Sequence, residues 1–388
     1  MKITRIGLIG CGVISKVYVS NIQRYYSKLR VTICADISLE KAKELAQEYH
    51  IDRVCTVDEL LADDQVDIVL NLTISQVHYE INKKVILSGK NVYCEKPLAL
   101  TSAEARELVS LAESQNVMLG CAPDSFLGSA LQTCRKLIDE GWIGKPVSAT
   151  ANMMNHGVET WHPSPDFFYK QGGGPMMDMG PYYITALVSL LGPITETGCF
   201  LTKGFAERRI YSSPRRGESI PVETATHYSG ILRFENNLVA NINMSFDAWL
   251  SNLPKLEIYG TEGTLIVPDP NQFSGEIRLV RSETLIDEVD GLSNQQATGR
   301  LSQPEMWEKY RTMPHMYRQP DKNMRGIGLL DMAYAIDHKR TNRASAELAC
   351  HVTEVLESLN ADHTISQITT RCSRPEPIPT GLDVGVMD

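Results

Sequence analysis

The sequence predicts an α/β protein that begins with a doubly wound parallel sheet and continues with an α+β domain containing a large, mostly antiparallel sheet. Strand and helix patterns alternate over the first 120 residues, as they do in parallel sheets covered by helices. From residue 146 the strand patterns gather together and the helices are set apart, which is typical of an antiparallel sheet. We therefore predict two domains, residues 1–122 and 123–388.

The first domain is predicted from short apolar runs that are separated by helical patterns. The strand patterns occupy residues 2–10, 29–36, 66–73, 91–97 and 116–123. Helical patterns fill the gaps, first to about residue 27 and then over 38–49, 77–89 and 101–115. The last of these helices opens with Thr101 and Glu104, which have the spacing of a capping box.

The second domain opens with a helical pattern over about 128–140, after which strand patterns dominate. These read PVSATANMM, THYSGILRF, LVANINMSF, KLEIYG and GTLIVP. Further helices are predicted over 182–191, 326–339 and 344–361. Residues 282–325 are polar and irregular, and we interpret them as a long loop.

The composition excludes several classes of partner. With 38 basic and 47 acidic side chains the net charge is −9, which disfavours nucleic acid and anionic membranes. No apolar run approaches the length of a membrane-spanning helix, and the chain starts in a strand pattern without a signal peptide. The nine cysteines have neither CxxC nor zinc-like spacing, so we expect reduced thiols, no metal and a cytoplasmic location.

A glycine-rich turn follows the first strand pattern and opens a helix. Its sequence, Gly10-x-Gly12-x-x-Ser15, occurs in the context that a dinucleotide-binding fingerprint requires. Gly10 permits the tight turn, and Gly12 lets the backbone approach a pyrophosphate, which then lies at the helix N-terminus beside Val13 and Ile14. Ser15 replaces the third glycine and is small enough for close packing. The turn therefore predicts a nucleotide-binding Rossmann domain.

An acidic residue ends the second strand pattern. Asp36 lies 24 residues beyond Gly12, where a carboxylate can accept hydrogen bonds from an adenosine ribose and would repel a 2′-phosphate. Ile37 and Ser38 follow, with no arginine to neutralise such a phosphate. The cofactor is therefore predicted to be NAD rather than NADP.

The segment Glu95-Lys96-Pro97 lies at the end of a predicted parallel strand, where doubly wound sheets place their ligands. A lysine there can hold a substrate hydroxyl and lower its pKa as hydride leaves the carbon. The same residues also suit a surface lysine beside a strand-ending proline, and the residues alone do not separate these readings.

Several segments together resemble the Gfo/Idh/MocA family, the group of glucose–fructose oxidoreductase and inositol dehydrogenase. The resemblance covers roughly residues 1–365. It is carried by the Asp36 strand end and by GLIGCGVIS, NLTISQVHYE, YCEKPLA, GGGPMMDMG, KLEIYGTEGTLIVPDP and the helix pair after RGIG.

The resemblance implies roles for particular residues. It implies that Lys96 binds substrate near the nicotinamide and that the Lys96–Pro97 peptide is cis. It places Thr73, His78 and Glu95 with Lys96 at the cofactor, although His78 also suits an ordinary histidine in the first turn of a helix. It further implies a homodimer or homotetramer.

The stretch GGGPMMDMGPYY contains an acid and a phenol four residues apart, Asp178 and Tyr182, a spacing that aligns them on one helical face. Many family members have a histidine at the second position. This sequence resembles the variant in which a tyrosine is the proposed proton donor, which implies that role for Tyr182 and an orienting role for Asp178. Alternatively, the glycines form a turn, Asp178 caps the helix and Tyr182 is a half-buried aromatic.

Other residues offer alternatives for the acid or base. His162 lies in VETWHPSPDFFY just before the glycines, and Tyr183 is the neighbour of Tyr182. Asp124 follows a strand end, and the pairs at 208–209 and 215–216 could clamp an anion or simply form a solvated face.

The sequence therefore predicts an NAD(H)-dependent oxidoreductase that acts on a secondary hydroxyl of a sugar, cyclitol or glycoside. Lys96 and Tyr182 are predicted to handle the hydroxyl proton. The alternative is an NAD-dependent glycoside hydrolase that oxidises the ring transiently, eliminates the substituent, adds water and reduces the product. A regulator that binds nucleotide without chemistry is disfavoured by the retained lysine.

Overall fold

The computed structural model describes residues 3–379, which form two compact units. Of the described residues, the first contains 3–128, Arg318–Glu357 and 369–379. The second contains Ser129–Tyr317 and Ser358–Ile368. The predicted division at residue 122 differs from this, because two late segments belong with the N-terminal residues.

Residues 3–128 form a six-stranded parallel sheet with helices between the strands. The strands are β1 (Thr4–Ile9), β2 (Leu29–Ala35), β3 (Arg53–Val54), β4 (Ile68–Asn71), β5 (Asn91–Cys94) and β6 (Leu119–Cys121). The helices are α1 (Val13–Tyr25), α2 (Leu39–Tyr49), α3 (Val57–Leu61), α4 (His78–Leu87) and α5 (Ser102–Gln115). Short 3₁₀ turns cover Ser75–Val77 and Ser125–Leu127.

The strand order β3-β2-β1-β4-β5-β6 confirms the predicted doubly wound sheet. Strand β4 is buried at every position, which is why its sequence is a continuous apolar run rather than an alternation. The connections diverge to opposite sides between β1 and β4, so the carboxyl ends of these two strands mark the crevice where such sheets bind ligands.

The second unit is built on a nine-stranded sheet. Its strands are β7 (Pro146–Met154), β8 (Ile194–Thr202), β11 (His227–Phe234), β12 (Val239–Ser245), β13 (Leu256–Gly260), β14 (Gly263–Val267), β15 (Ile277–Arg281), β16 (Arg311–Met313) and β17 (Ile365–Gln367). The separate pair β9 (Glu207–Arg209) and β10 (Ser219–Pro221) forms a small hairpin. The order is β16-β15-β14-β13-β7-β12-β11-β8-β17, and every pair except β7–β12 is antiparallel, as predicted.

Helices α6 (Ser129–Asp139) and α7 (Gly174–Leu191) pack on this sheet, and a 3₁₀ turn covers Asp166–Tyr169. Burial alternates along β11, so one face of the sheet is packed and the other is exposed. The exposed face carries Phe200, Ile231 and Ile365 and holds a cavity of about 670 Å³. The homodimer or homotetramer that the resemblance implies stays a prediction.

Helix α7 begins eight residues earlier than predicted. The sequence indicated a helix over 182–191, since Pro181 lacks an amide and normally interrupts a helix at a cost of ~3 kcal/mol. In the structure Pro181 lies inside α7, and every residue from Gly180 to Leu191 is buried. Burial of this apolar helix offsets the lost hydrogen bond.

The segment 282–325 contains more structure than the predicted loop. It includes α8 (Ser282–Asp287), α9 (Asn294–Leu301), a 3₁₀ turn over Pro304–Lys309 and strand β16. Neither α8 nor α9 has a buried residue, so no apolar stripe marks them in the sequence. Glu288 pairs with both Arg300 and Lys309 and ties the segment together.

The last two helices, α10 (Ile327–His338) and α11 (Ala346–Leu359), explain why the C-terminal residues join the first unit. Strand β6 is the last of the parallel sheet and would leave its edge open. Gly120 forms a β-bridge with Ser345, and the Cys121 amide donates to Ala344 O at 3.0 Å. Ala346 and Cys350 of α11 then join the core of the first unit.

Within residues 3–379, no helix combines the length and apolar character needed to cross a membrane. The same residues bring together no group of three or more histidine, cysteine or acidic side chains suited to a metal ion.

Candidate active site

The turn after β1 requires glycine at Gly10. Its φ is +98°, and a Cβ there would lie 2.6 Å from the carbonyl carbon and oxygen of Leu72. The Leu72 amide in turn donates to Ile9 O at 2.8 Å. The loops that follow β1 and β4 are therefore in close contact at the crevice.

The N-terminus of α1 faces open space. Gly12 is the N-cap, no side chain caps the helix, and a Cβ built on Gly12 meets nothing within 4 Å. Val13 is 89% exposed and Ile14 is half-buried, whereas Ser15 is buried and donates to Gly12 O at 2.6 Å. Uncapped amides beside an open space fit the pyrophosphate of a dinucleotide.

Asp36 is fixed against this turn. Its Oδ2 accepts the Cys11 amide and its Oδ1 accepts the Ser38 amide, each at 2.7 Å. A carboxylate has about four acceptor positions, so it retains capacity for the hydroxyls of a ribose. Its half-buried position at the end of β2 fits the predicted contact with NAD.

Thr73 is held by polar side chains at the end of β4. Its hydroxyl and amide donate to Asn71 Oδ1 at 2.7 and 3.2 Å, and Asn71 Nδ2 donates to Asn82 Oδ1 at 2.9 Å. Asn82 of α4 therefore orients Asn71, and Asn71 in turn fixes the half-buried Thr73 at the end of β4.

Lys96 follows β5 directly, is half-buried, and is joined to Pro97 by a cis peptide bond, as the resemblance implies. Glu95 is only 8% exposed and supports this position. Its Oε2 accepts the Lys96 amide and its Oε1 accepts the Tyr18 hydroxyl, both at 3.0 Å, and Arg325 is 4.0 Å away. The structure therefore places Glu95 beneath Lys96 rather than at an open cofactor surface.

His78 also lies beneath the crevice. It is 1% exposed, and its Nδ1 and Nε2 lie 2.7 Å from Pro97 O and 3.0 Å from Thr73 O. Both ring nitrogens thus contact protein carbonyls. The structure gives His78 a supporting position instead of the cofactor contact that the resemblance implies.

The segment 318–326 is a part of this unit that sequence reasoning missed. Asn21 donates to the carbonyls of Asn323 and Arg325 at 3.1 and 2.9 Å, and Tyr26 donates to Met324 O. The segment thereby holds Arg325 near Glu95. No periodicity marks it; the signal in the sequence was the closely spaced Gly326 and Gly328.

Asp124 caps the start of α10 instead of lining a site. The amides of Gly326 and Gly328 donate to its Oδ2 at 2.8 and 3.0 Å. Burial raises the pKa of Asp124 to about 6, although these amides and Arg325 act in the opposite direction.

In the second unit, Asp178 and Tyr182 lie one turn apart on α7, so the predicted helical face is present. Asp178 is half-buried in the second turn and cannot cap a helix that begins at Gly174. Gly174 itself has a φ of +87°, and a Cβ there would lie 2.7 Å from Ala225 O. A glycine is therefore needed at Gly174 so that the start of α7 can pack against Ala225 O, which gives this glycine a structural role.

The two neighbouring tyrosines differ in exposure. Tyr182 is 6% exposed, whereas Tyr183 is fully buried. Burial raises the pKa of Tyr183 far above its ordinary value, and the neighbouring Asp269 carboxylate adds to this. Tyr183 is accordingly a poor proton donor or acceptor near neutral pH.

His162 lies in an aromatic loop. Its ring centroid is 5.4 Å from that of Trp161 and 5.3 Å from that of Phe168. Its Nδ1 accepts the Ser164 amide at 3.1 Å, so in the neutral ring Nε2 carries the proton.

Arg208 is a buried structural residue and neither clamps an anion nor lies on a solvated face. Its Nε donates to Glu159 Oε1 at 2.8 Å and its Nη1 to Asp247 Oδ1 at 2.9 Å. Its Nη2 donates to His156 O and Phe246 O at 2.7 Å. The two carboxylates compensate the guanidinium and fix the chain before His162.

Two family models together cover most of the chain. The model described as "Oxidoreductase family, NAD-binding Rossmann fold" matches residues 4–122, and the "GFO/IDH/MocA C-terminal domain" matches residues 131–266. The chain belongs to the Gfo/Idh/MocA family. The resemblance in the motifs is confirmed, and the first unit is an NAD-binding Rossmann domain of a Gfo/Idh/MocA oxidoreductase.

Relatives in the Gfo/Idh/MocA family include enzymes with small oxygenated substrates in their names. 1,5-Anhydro-D-fructose reductase from Ensifer adhaerens is 28% identical over 268 residues, 68% of this chain and 75% of the relative. Trans-1,2-dihydrobenzene-1,2-diol dehydrogenase from Xenopus tropicalis is 28% identical over 240 residues, 62% of this chain and 67% of the relative.

Solved structures share the fold across nearly the whole chain. Levoglucosan dehydrogenase in complex with NADH and L-sorbose superposes with a TM-score of 0.76 at 20% identity, over 96% of this chain and all of that one. An NAD binding oxidoreductase from Klebsiella pneumoniae gives 0.74 at 21% identity, over 95% and 100%. At these identities the likeness shows the fold alone.

Proposed function

We propose that the protein is an NAD(H)-dependent dehydrogenase or reductase that interconverts a secondary hydroxyl and a carbonyl on a sugar, cyclitol or glycoside. The observation that carries this proposal is the position of Lys96. It follows β5, which adjoins β4 at the crevice, and Glu95 and the segment 318–326 support it from beneath. An ammonium group at this edge of an NAD-binding sheet suits a substrate hydroxyl.

The first unit supplies the residues that would hold the cofactor. The turn from Gly10 to Ile14 offers uncapped amides for the pyrophosphate, and Asp36 offers carboxylate oxygens for the ribose. NAD bound there supplies the hydride-accepting or hydride-donating chemistry. Lys96 then donates a hydrogen bond to the substrate oxygen, which favours the alkoxide and so lowers the pKa of the hydroxyl.

The second unit supplies the proton carrier in this proposal. Tyr182 exchanges the hydroxyl proton through its phenol, and Asp178, one turn earlier on α7, orients the polar groups around it. Support for Tyr182 over Tyr183 comes from burial, because the Tyr183 side chain is fully enclosed. His162, whose Nε2 carries the proton in the neutral ring, is the competing carrier.

The substrate class is supported by the relatives. One relative is named for the reduction of 1,5-anhydro-D-fructose, and one structural neighbour is named for levoglucosan and was solved with L-sorbose. Both names describe cyclic or polyhydroxylated compounds, which fits a secondary alcohol as the reacting group.

The test is a nicotinamide absorbance assay on the purified full-length chain. NAD and NADP are supplied separately with a panel of sugars, inositols and aryl glycosides, and aglycone release is followed in the same wells. Reduction of NAD on a free sugar or cyclitol is the expected result. Aglycone release without net NADH would overturn the dehydrogenase in favour of the glycoside hydrolase.

A further inference from the structure

Glu95 carries a buried carboxylate immediately before Lys96 in the chain. The side chain of Glu95 is only 8% exposed. Its Oε2 accepts the Lys96 backbone amide and its Oε1 accepts the Tyr18 hydroxyl, both at 3.0 Å. The Arg325 guanidinium lies 4.0 Å from the same Oε1. Each carboxylate oxygen of Glu95 is therefore engaged by a group other than the Lys96 ammonium.

Tyr18 is a permanent hydrogen-bond donor to this carboxylate. It lies in α1, the helix whose N-terminus follows the glycine turn, and it is 0% exposed. Burial and the charge of Glu95 raise the pKa of Tyr18 well above its ordinary value, so the phenol keeps its proton. A buried phenol needs an acceptor, and Glu95 provides it.

Arg325 is held near Glu95 by the same helix. Asn21 of α1 donates from Nδ2 to the Arg325 carbonyl at 2.9 Å, and the Tyr26 hydroxyl donates to Met324 O. The Arg325 side chain is 17% exposed, so water screens its charge only in part. Helix α1 thus fixes both groups that engage Glu95 Oε1, Tyr18 directly and Arg325 through its backbone.

A second buried carboxylate faces the same guanidinium. Asp124 is 2% exposed, and its Oδ2 accepts two backbone amides at the start of α10. Burial raises the pKa of Asp124 to about 6, although the amides and the Arg325 charge act in the opposite direction, so Asp124 is an anion at pH 8. Burial raises the pKa values of Tyr93 and Cys121 well above their ordinary values, and both stay neutral beside Glu95. One guanidinium therefore serves two carboxylates.

This arrangement makes the Glu95 carboxylate sensitive to the loss of either partner. A buried carboxylate that loses a hydrogen bond or a nearby cation is costly unless another group compensates it. The ammonium of the next residue, Lys96, is a cation that Glu95 can reach by a side-chain rotation. A Glu95–Lys96 ion pair would raise the pKa of Lys96, since an opposite charge favours the ammonium form.

We propose that Tyr18 and Arg325 are positioning residues that hold the Glu95 carboxylate and so keep it from pairing with the Lys96 ammonium. Glu95 then fixes the Lys96 amide while the lysine side chain is left for the crevice. The helix that begins at the glycine turn thereby also sets the charge environment of Lys96. Only the consequence for catalysis rests on the proposed function.

The experiment measures the pKa of Lys96 by acylation of the full-length protein with acetic anhydride, quantified by mass spectrometry on the peptide that contains Lys96. Only the unprotonated amine reacts, and the rate at pH 8 relative to that at pH 11 removes differences in accessibility. We expect Tyr18→Phe to lower this relative rate ~10-fold or more. Tyr25→Phe is the matched control. Its hydroxyl also lies on α1 but donates to Asp321 at 2.7 Å, and its loss should leave the rate unchanged.

A second substitution shows whether Glu95 causes the effect. In Tyr18→Phe/Glu95→Gln the amide has no charge to pair with Lys96 but retains an acceptor oxygen, so the relative rate should return to that of the unmodified protein. An unchanged rate in Tyr18→Phe, or a fall that Glu95→Gln does not reverse, would overturn the proposal. If thermal unfolding shows that Tyr18→Phe does not fold, Arg325→Gln is measured with the same expected result.

The kinetic consequence is tested separately. In Tyr18→Phe we expect kcat to fall while the affinity for NAD stays near that of the unmodified enzyme, and Glu95→Gln should restore kcat in part. A merely structural role for Tyr18 would lower the unfolding temperature without this reversal, and that result would overturn the proposal. The acylation readout requires no turnover, so a failed assay for dehydrogenase activity would refute the proposed function and leave this test intact.

Discussion

The Asp36 carboxylate accepts the backbone amide of Cys11 at 2.7 Å, which joins the end of β2 to the glycine turn after β1. The acid that would contact the ribose therefore also fixes the turn that would contact the pyrophosphate. Cofactor selectivity and the geometry of the turn are coupled through this one hydrogen bond.

Asp36→Ala removes both the acceptor for a ribose and the charge that repels a 2′-phosphate. A hydrogen bond to a charged group contributes about 1.5–3 kcal/mol, so we expect NAD affinity to fall ~10-fold or more. NADP affinity should fall less or rise. Competition titrations with both cofactors measure the ratio, with exposed Asp52→Ala as the control. An unchanged NAD/NADP ratio would remove Asp36 from the selectivity argument.

Gly10 and Gly12 should respond differently to alanine. Gly10→Ala introduces a Cβ at a φ of +98° and 2.6 Å from Leu72 backbone atoms, so the free energy of unfolding should fall by more than the ~1–2 kcal/mol of backbone strain alone. At Gly12, with a φ of −80° and open space around the Cβ, stability should be retained while NAD affinity falls. Thermal unfolding without cofactor and NAD titration separate the two effects. Equal unfolding temperatures for both variants would contradict the geometry.

Lys96→Met keeps the aliphatic stem and removes the ammonium group. Because proton handling by a positioned side chain contributes ~10²–10⁴-fold, we expect kcat to fall at least ~100-fold. NAD affinity should change much less. Steady-state kinetics on the best substrate of the panel provide the measurement, and Lys84→Met, at an exposed position of α4, is the control. If the kcat of Lys96→Met equals that of the unmodified enzyme and only the KM for NAD rises, Lys96 contributes to cofactor binding alone.

Tyr182→Phe and Tyr183→Phe form a matched pair on adjacent residues of α7. We expect Tyr182→Phe to lower kcat ~100-fold or more. Tyr183→Phe should leave kcat near that of the unmodified enzyme, since its hydroxyl is enclosed. His162→Gln completes the set by testing the competing proton carrier. A loss of activity confined to His162→Gln would transfer the acid/base role to that residue.

The sequence predicted those features that depend on local patterns and missed those that depend on contacts between distant parts of the chain. The Gly10 turn, Asp36 and Lys96 could be placed because each follows a local strand pattern, and the strand order then brings them to one edge. The extension of α7 through Pro181 could not be predicted, because burial of the helix in the folded protein outweighs the local cost of a proline. The contact of Asn21 with residues 323 and 325 spans about 300 residues and leaves no periodic trace. The sequence identified Glu95 and His78 as site residues but did not predict that they are buried and support neighbouring groups, because burial depends on the tertiary fold.

The Arg208 ion pairs predict a large effect on stability from a residue outside the chemistry. Arg208→Met would leave Glu159 and Asp247 without their guanidinium, and breaking a buried pair by removing one partner costs about 3–5 kcal/mol. Arg209→Met, on the exposed neighbour, should change the free energy of unfolding by less than ~0.5 kcal/mol. Urea unfolding monitored by fluorescence compares the stability of the two variants.

The effect of Arg208→Met should be largest near His162. Glu159 O accepts the Tyr211 and Ser212 amides, and the Ser212 hydroxyl donates to His162 O, so displacement of Glu159 should increase local motion around His162 first. A cost at Arg208 no larger than that at Arg209 would mean that the carboxylates are compensated by other groups.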